Sequence, residues 1–195
     1  MKEIIVASNN AGKIKEIKSM LEPLNIEVKS LKDVFDEPID VEENGKTFKE
    51  NAFIKASTIM NMIHLPVLAD DSGLEINALD GAPGIYSARF MGHDTSYEVK
   101  NQYLVDTLKD KEDKGARYVC AMALCIPNQE PILIEEYLYG EIYDRLEGEN
   151  GFGYDPIFYI PELKKTAASI TLEEKNKISH RAKALKKLYE ILEAM

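Results

Sequence analysis

Residues 2–24 read KEIIVASNNAGKIKEIKSMLEPL, and this stretch decides the class of fold. The apolar run within Lys2–Ser8 predicts a buried strand, and the small and polar residues Asn9–Lys13 follow at once. Beyond them, apolar residues recur at spacings of 3, 4 and 3, the pattern of one helix face, at Ile14, Ile17, Leu21 and Leu24. A strand that leads directly into an amphipathic helix predicts an α/β protein.

The rest of the chain alternates strand and helix patterns early and is rich in strand patterns late. Thr47 and Glu50 form a capping-box pattern ahead of a long amphipathic helix. Further predicted elements are strands at Ile26–Leu31, Leu65–Ala69, Ala116–Ile126 and Ile132–Ile142, extended chain at Leu74–Ala78, and helices at Tyr97–Leu108 and around Ile178–Leu192. This order predicts a mixed, twisted central sheet flanked by helices. We treat residues 1–195 as a single domain, with the Asp110–Gly115 turn as a candidate boundary between two lobes.

The charge balance restricts the classes of molecule that the protein is expected to bind. The chain holds 24 Lys and Arg against 34 Asp and Glu, a net charge of −10. Nucleic acid is therefore not an expected partner, because phosphate backbones require a basic surface. Residues 162–195 nevertheless carry a local charge of +3. An acidic body with a basic tail suits a small anionic ligand bridged by metal ions.

The chain has no pattern that predicts a membrane or secreted location. No apolar run approaches the roughly 18 residues that a membrane helix needs, and the first residues lack the pattern of a signal peptide. The two cysteines, Cys120 and Cys125, point to opposite faces of a predicted strand, so we expect buried thiols without a disulfide. These features predict a soluble, cytoplasmic protein.

The first candidate site is a phosphate-binding turn made of Ser8, Asn9, Asn10, Ala11, Gly12 and Lys13. A turn into a helix N-terminus directs backbone N–H groups and the positive end of the helix dipole towards one point, and Lys13 adds a full charge. It is not a P-loop, because Ile14 stands where Ser or Thr would follow the lysine. The alternative is an ordinary helix start, with Asn10 as the cap and Lys13 in solvent.

The second candidate site is acidic. Glu42 and Glu43 precede one predicted helix, and Asp70 and Asp71 follow an apolar strand. Carboxylates at the carboxyl end of a strand lie where α/β proteins bind ligands, and hard oxygen donors suit Mg²⁺. The alternatives are a solvated loop for the glutamates and a polar turn for Asp70–Gly73. Consecutive aspartates beside a buried strand repel each other, however, unless a cation or donor compensates.

Two further motifs lie late in the chain. Gly151–Pro156 places Phe152 and Tyr154 between glycines, where an aromatic face can stack on a base; the alternative is a bulge whose aromatics fill the core. Arg181 follows His180 at the start of the last predicted helix. A cation at a helix N-terminus opposes the dipole, so its side chain needs another role, such as donating to a carbonyl or phosphate.

Taken in order, these motifs resemble the inosine triphosphate pyrophosphatase family, which comprises dITP/XTP pyrophosphatases. The resemblance covers nearly the whole chain and rests on six blocks: Ser8–Lys13, Glu42–Phe48 with Glu50–Ala52 and Lys55–Ala56, Ala69–Leu74, Gly81–Arg89, Gly151–Pro156 and Ser179–Arg181. Each block is modestly specific, and six in family order are very specific. Asn9 departs from the pattern, since many members carry glycine there.

The resemblance implies two lobes around a nucleotide-binding cleft, usually in a homodimer. It also implies a hydrolase that uses Mg²⁺ to convert the noncanonical purine nucleoside triphosphates ITP, dITP and XTP to the monophosphate and pyrophosphate. Position by position, Ser8–Lys13 would bind the triphosphate, Glu42 and Asp71 the metal, and Ser72 the substrate, with Asp71 as the catalytic acid/base. The residues around the base would be Phe152, Gly153, Tyr154, Asp155, Lys175, His180 and Arg181.

This chemistry is physically coherent. An ordinary aspartate, with a pKa of about 3.9, is a feeble base, so we expect a metal to do most of the activation of water. Arginine only donates hydrogen bonds, so Arg181 near purine position 6 would bond a keto oxygen but not an amino group. Two alternatives stay open: a catalytically silent nucleotide-binding regulator, which would not need the pair Glu42 and Asp71, and a pyrophosphatase of the same fold that acts on modified pyrimidine nucleotides.

Overall fold

The computed structural model describes residues 2–195, which form seven strands and five α-helices. In chain order the elements are β1 (Glu3–Val6), α1 (Ala11–Leu21), β2 (Glu27–Ser30), α2 (Phe48–Ile63), β3 (Val67–Ile76), α3 (Tyr97–Leu108), β4 (Gly115–Cys125), β5 (Ile132–Ile142), β6 (Phe158–Ile160), β7 (Lys165–Thr166), α4 (Leu172–Ile178) and α5 (His180–Glu193). Short 3₁₀ turns connect several of them. Across residues 2–195, every helix is too short or too polar to cross a membrane.

The strands form one mixed sheet in the order β2-β1-β3-β4-β5-β6-β7. β1 lies parallel to β2 and β3, whereas β6 lies antiparallel to β5 and β7. Ile4, Ile5 and Val6 are all buried, as expected of a parallel strand covered on both faces. The mixed α/β sheet predicted from the sequence is confirmed.

The described chain divides into two compact units. The first contains the residues up to Asp71, Cys120–Glu136 and the residues from Lys183 onward; the second contains Ser72–Val119 and Tyr137–Ala182. The boundary expected at Asp110–Gly115 is therefore wrong, because the divisions fall inside β3, β4, β5 and α5 rather than in a turn. The single-domain interpretation of residues 1–195 stays a prediction.

Each unit has its own apolar core. In the first unit, β1, α1, β3, β4 and α5 contribute Ile4, Ile17, Leu68, Met122 and Leu185. In the second unit, β3, α3, β4, β5 and β6 contribute Leu74, Leu104, Tyr118, Leu138 and Phe158. Both cysteines lie on β4 as buried thiols, as the sequence predicted.

Two elements differ from the sequence prediction. Asp70–Gly73 is neither a turn nor the end of a strand, because β3 runs without a break from Val67 to Ile76. β1 is shorter and ends at Val6, which pairs with Leu68, so the aspartates lie just beyond the carboxyl end of β1.

The helix α4 was missed. It has only seven residues, too few for a clear apolar period, yet the capping box of Thr171 and Glu174 marks its start. Ile178 therefore ends α4, and the last helix begins at His180.

Candidate active site

The turn between β1 and α1 brings a lysine to the aspartates of β3. Asn10 caps α1, since its side-chain oxygen accepts from the backbone N–H of Lys13 at 3.1 Å, and Ser8 Oγ accepts from Asn10 N at 3.1 Å. Lys13 is not in solvent, because its Nζ lies 2.8 Å from Asp70 Oδ2. The side chains of Lys13 and Asp70 are 18% and 1% exposed, so this ion pair fixes the end of the lysine beside β3.

Helix α2 supplies two more groups to the same region of the first unit. Asn51 and Lys55 lie one turn apart and so share a helix face. Asn51 Nδ2 donates to Asp71 Oδ2 at 3.1 Å, and Lys55 Nζ donates to the backbone oxygen of Asp70 at 3.3 Å. The two aspartates thus face an amide and an ammonium group from α2.

The segment before α2 contains the two adjacent glutamates, Glu42 and Glu43. Gly45 N donates to Asn51 Oδ1 at 2.8 Å, and a Cβ at Gly45 would lie 2.7 Å from that same oxygen, so only glycine fits. Glu43 forms an ion pair of 2.9 Å with Lys55, whereas Glu42 is exposed. Of the two adjacent glutamates, Glu43 is therefore the one engaged by a lysine.

The electrostatic environment of Asp71 is unusual for an aspartate. Burial, and next the negative charge of Glu43, raise its pKa from 3.8 to about 6, against the opposing effects of Asn51, Lys55 and Lys13. The expectation of an ordinary aspartate is corrected by this result. At neutral pH the carboxylate is ionised and is a stronger base than a solvated aspartate.

The carboxylate oxygens of this region suit a Mg²⁺ ion as ligands. Within residues 2–195, no three His, Cys, Asp or Glu side chains form a ready-made metal cluster. Mg²⁺ commonly uses one or two carboxylates and takes its other ligands from water and substrate phosphates, so a sparse set fits. Burial and the repulsion from Glu43 raise the pKa of Asp71, and a cation would relieve this repulsion.

The second unit holds a loop organised by one buried carboxylate. Asp155 Oδ2 accepts from Lys175 Nζ at 2.6 Å and from Phe152 N at 3.0 Å, and Asp155 Oδ1 accepts from Tyr118 OH at 3.0 Å. Gly151 has φ +74°, and a Cβ there would lie 2.0 Å from Asp155 Oδ2. The carboxylate therefore fixes the shape of the Gly151–Asp155 loop.

The two aromatic residues of this loop have different surroundings. Phe152 is 48% exposed, with Lys175 Nζ 4.9 Å and Arg181 Cζ 6.0 Å from its ring centroid. Tyr154 is only 4% exposed, its OH donates to Ser87 O at 2.6 Å, and its ring meets Tyr97 edge-on at 5.2 Å. The core-filling alternative therefore holds for Tyr154, whereas the Phe152 side chain is half-exposed. Gly153 O accepts from Asn101 Nδ2 at 3.0 Å.

His180 and Arg181 open α5, as the sequence predicted. Both are buried, and the His180 ring stacks on Tyr118 with centroids 4.8 Å apart and planes at 18°. Ser179 Oγ accepts from Ala182 N at 3.0 Å and so supports the helix start. Ser72 follows Asp71 on β3 and is partly buried in the second unit.

Comparison with known proteins places this fold in a family. The profile of the Ham1 family matches residues 4–191. The Ham1 protein of Staphylococcus aureus superimposes with a TM-score of 0.92 and 43% identity over 99% of each chain. A HAM1 protein from Coxiella burnetii gives a TM-score of 0.94 and 41% identity over 100% of each chain. The chain therefore belongs to the Ham1 family.

Two homologous bacterial enzymes allow a more specific comparison. The chain is 47% identical to the dITP/XTP pyrophosphatase of Bacillus subtilis, over 100% of this chain and 98% of that protein. It is 48% identical to the dITP/XTP pyrophosphatase of Bacillus licheniformis, over 99% of each. The resemblance drawn from the sequence is thereby confirmed.

Three contributing residues, Asn51, Lys55 and Tyr118, were not predicted as site residues, and a fourth, Asp70, had no role of its own in the predicted site. Asn51 and Lys55 stand four residues apart in a predicted helix, and this spacing could have placed them on one face. Asp70 was noted only as half of an acidic pair, and its ion pair with Lys13 has no local signal. Tyr118 lies in an apolar strand pattern, where nothing distinguishes it from a core residue.

Asp71→Asn should stabilise the metal-free protein at high pH. The folded-state pKa of about 6 exceeds the ordinary 3.8, so the stability that a protonated Asp71 retains at low pH is lost as the pH rises through 6. The shift corresponds to about 3 kcal/mol, which partial exposure reduces to about 1–2 kcal/mol. Urea unfolding in EDTA at about pH 4 and about pH 8 measures this gain.

The matched control is Asp94→Asn, which removes an exposed aspartate. Its free energy of unfolding should follow that of the original protein at both pH values. An Asp71→Asn gain that is absent or equal at the two pH values would contradict the raised pKa.

Proposed function

We propose that this chain is a nucleoside triphosphate pyrophosphatase that depends on Mg²⁺. It hydrolyses the noncanonical purine nucleotides ITP, dITP and XTP to the monophosphate and pyrophosphate, and so cleanses the nucleotide pool. The observation that carries the proposal is Asp71, a largely buried carboxylate close to Asn51, Glu43 and two lysines. The names of the relatives at 47% and 48% identity support the substrate class.

The phosphates bind at the start of α1. Ser8–Lys13 supply backbone N–H groups and the positive end of the helix dipole, and Lys13 adds its ammonium group. Cleavage between the α- and β-phosphates requires charge neutralisation on the leaving pyrophosphate. Lys13, already directed to β3 by Asp70, is placed to provide part of it.

Asp71 acts as the general base and accepts the proton of the attacking water. Glu42 and Asp71 hold the metal, and the engagement of Glu43 by Lys55 supports Glu42 as the glutamate that remains for this task. A bound Mg²⁺ neutralises phosphate charge and lowers the pKa of water. The raised pKa of Asp71 belongs to the metal-free protein, and a cation bound beside the carboxylate would lower it.

The base is read by residues of the second unit. Phe152 offers a half-exposed aromatic ring, Arg181 supplies hydrogen-bond donors to a 6-keto oxygen, and Lys175 and His180 lie around the base. Adenine presents an amino group instead, to which the donor-only guanidinium cannot donate, and this difference discriminates between the two bases. Ser72, Gly153, Tyr154 and Asp155 complete the substrate-binding set, with Asp155 and Tyr154 acting through their contacts within the protein.

The same proposal includes a cytoplasmic homodimer that binds neither membranes nor nucleic acid. The net charge of −10 supports the absence of nucleic acid as a partner. Buried cysteine thiols support a reducing compartment.

Incubation with ITP and Mg²⁺ should release pyrophosphate. Asp71→Asn should lower kcat by about 10²–10⁴-fold because the general base is lost, while the Kd for ITP changes little. Ion chromatography of initial-rate samples identifies the product, and calorimetry measures binding. A panel of ITP, XTP, dITP, GTP, ATP and dUTP separates the alternatives. Orthophosphate as the direct product, binding without turnover, or a preference for pyrimidines would each contradict the proposal.

Glu42→Gln should raise the Mg²⁺ concentration for half-maximal activity on the order of tenfold or more, since even outer-shell partners of metals contribute that much. Glu37→Gln, an exposed position in the same acidic segment, is the control and should leave it unchanged. An increase with Glu43→Gln but not with Glu42→Gln would reassign the metal ligand to Glu43.

Arg181→Ala should raise KM for ITP and narrow the advantage of ITP over ATP about tenfold or more, because a buried donor to the 6-keto oxygen is lost. Lys177→Ala is the control, since Lys177 pairs with Glu173 on the surface of α4 at 2.9 Å. Steady-state kinetics with both nucleotides give the ratio. An unchanged ITP/ATP ratio in Arg181→Ala would remove Arg181 from base reading.

A further inference from the structure

Tyr118 connects several of the residues proposed to read the base. It lies on β4, is 7% exposed, and its hydroxyl donates to Asp155 Oδ1 at 3.0 Å. Its ring stacks on His180 at 4.8 Å and on Phe158 at 4.2 Å, with interplanar angles of 18° and 27°. One side chain therefore contacts the loop carboxylate, the first residue of α5 and the core.

The hydroxyl contact fixes the orientation of Asp155. The carboxylate gives one oxygen to Tyr118 and the other to Lys175 Nζ and Phe152 N. A rotation of the carboxylate that lost the Tyr118 contact would also weaken the two bonds on the other oxygen. The position of Lys175 and the start of the Phe152 loop thus depend on a donor that is distant from both in sequence.

We propose that Tyr118 is a positioning residue for base recognition, which holds Lys175 and Phe152 through Asp155 and holds His180 through its ring. The inference rests on the proposed function, in which these three side chains contact the base. Tyr118 itself does not belong to the reacting or base-reading groups. Burial and the charge of Asp155 raise the pKa of Tyr118 well above its ordinary value, so the hydroxyl stays a donor at neutral pH.

Tyr118→Phe tests the hydroxyl because it keeps the ring and its stacking. We expect KM for ITP to rise about tenfold, the effect of one lost hydrogen bond to a charged group, with kcat within about twofold. The Kd of inosine monophosphate should rise in parallel, and the ITP advantage over ATP should narrow. Calorimetry provides this second measurement without relying on turnover.

Tyr143→Phe is the matched control. The Tyr143 ring also stacks on a neighbour, Tyr159, at 4.8 Å, and its hydroxyl also has a partner, Arg145 Nη2 at 2.7 Å, but at an exposed position. It should leave KM and the Kd of inosine monophosphate unchanged. Thermal unfolding of each variant shows that the comparison is made between folded proteins.

Two further variants separate the contacts of Tyr118. Tyr118→Leu removes the ring, so the ring-current shift of the His180 Hε1 proton should disappear by NMR, whereas Tyr118→Phe should retain it. Asp155→Asn alters the same hydrogen bond from the other side and replaces Tyr118→Phe if that variant does not fold. Because Asp155→Asn also removes the charge that pairs with Lys175, it should raise the Kd of inosine monophosphate at least as much as Tyr118→Phe does.

The outcomes distinguish this inference from the proposed function. Unchanged KM and Kd in folded Tyr118→Phe, or a fall in kcat with KM unchanged, would overturn the positioning role. A parent protein that binds inosine monophosphate but releases no pyrophosphate would overturn the proposed function, while the Kd comparison still decides the role of Tyr118. A parent protein that binds no purine nucleotide would overturn both.

Discussion

The burial of carboxylates in the middle of β3 is the constraint on which the first unit depends. Removing a charge from water costs several kcal/mol unless a counter-charge or donors compensate. Asp70, with a side chain 1% exposed, has Lys13 at 2.8 Å, and this contact requires α1 to begin where it does. Asp71 has Asn51 at 3.1 Å, which requires the start of α2 to lie against the same part of the strand.

Each unit contains a buried carboxylate, and the two carboxylates differ in how many donors and charges compensate them. Asp155 receives a lysine, a tyrosine hydroxyl and a backbone N–H, so its capacity to accept is used within the protein and it serves to hold a loop. Asp71 receives one amide and faces the negative charge of Glu43, which together with burial raises its pKa to about 6. A carboxylate that the protein leaves undercompensated is the one available for proton transfer and for a cation.

The sequence predicts the fold well where the signal for an element lies in residues that are close together in the chain. The strand within Lys2–Ser8, the helix cap at Thr47 and the position of His180 and Arg181 at the start of the last helix all agree with the structure. It fails where tertiary contacts override local pattern. Asp70–Gly73 resembles a turn by composition, yet stays extended because the partners of its aspartates come from α1 and α2.

The site is predictable only as a set of motifs. The resemblance named Asp71, Asp155 and Lys175, but the raised pKa of Asp71 follows from its burial and from Glu43, and neither can be judged without a structure. The same holds for the division into units, which cuts through strands rather than through the turn at Asp110–Gly115. Contacts between residues distant in the chain have no sequence period, so Tyr118 has no signature in an apolar strand.

The charges of the first unit also favour a triphosphate that carries a metal ion over a free one. Lys13 is paired with Asp70 and Lys55 with Glu43, so both cations are partly compensated before a ligand binds. Asp71 adds further negative charge, and the whole chain carries −10. A polyanion approaching these residues alone would be repelled, because like charges in a partly desolvated site interact strongly. A divalent cation reverses the sign of that interaction, which favours a chelated nucleotide over a free phosphate chain or a nucleic-acid backbone.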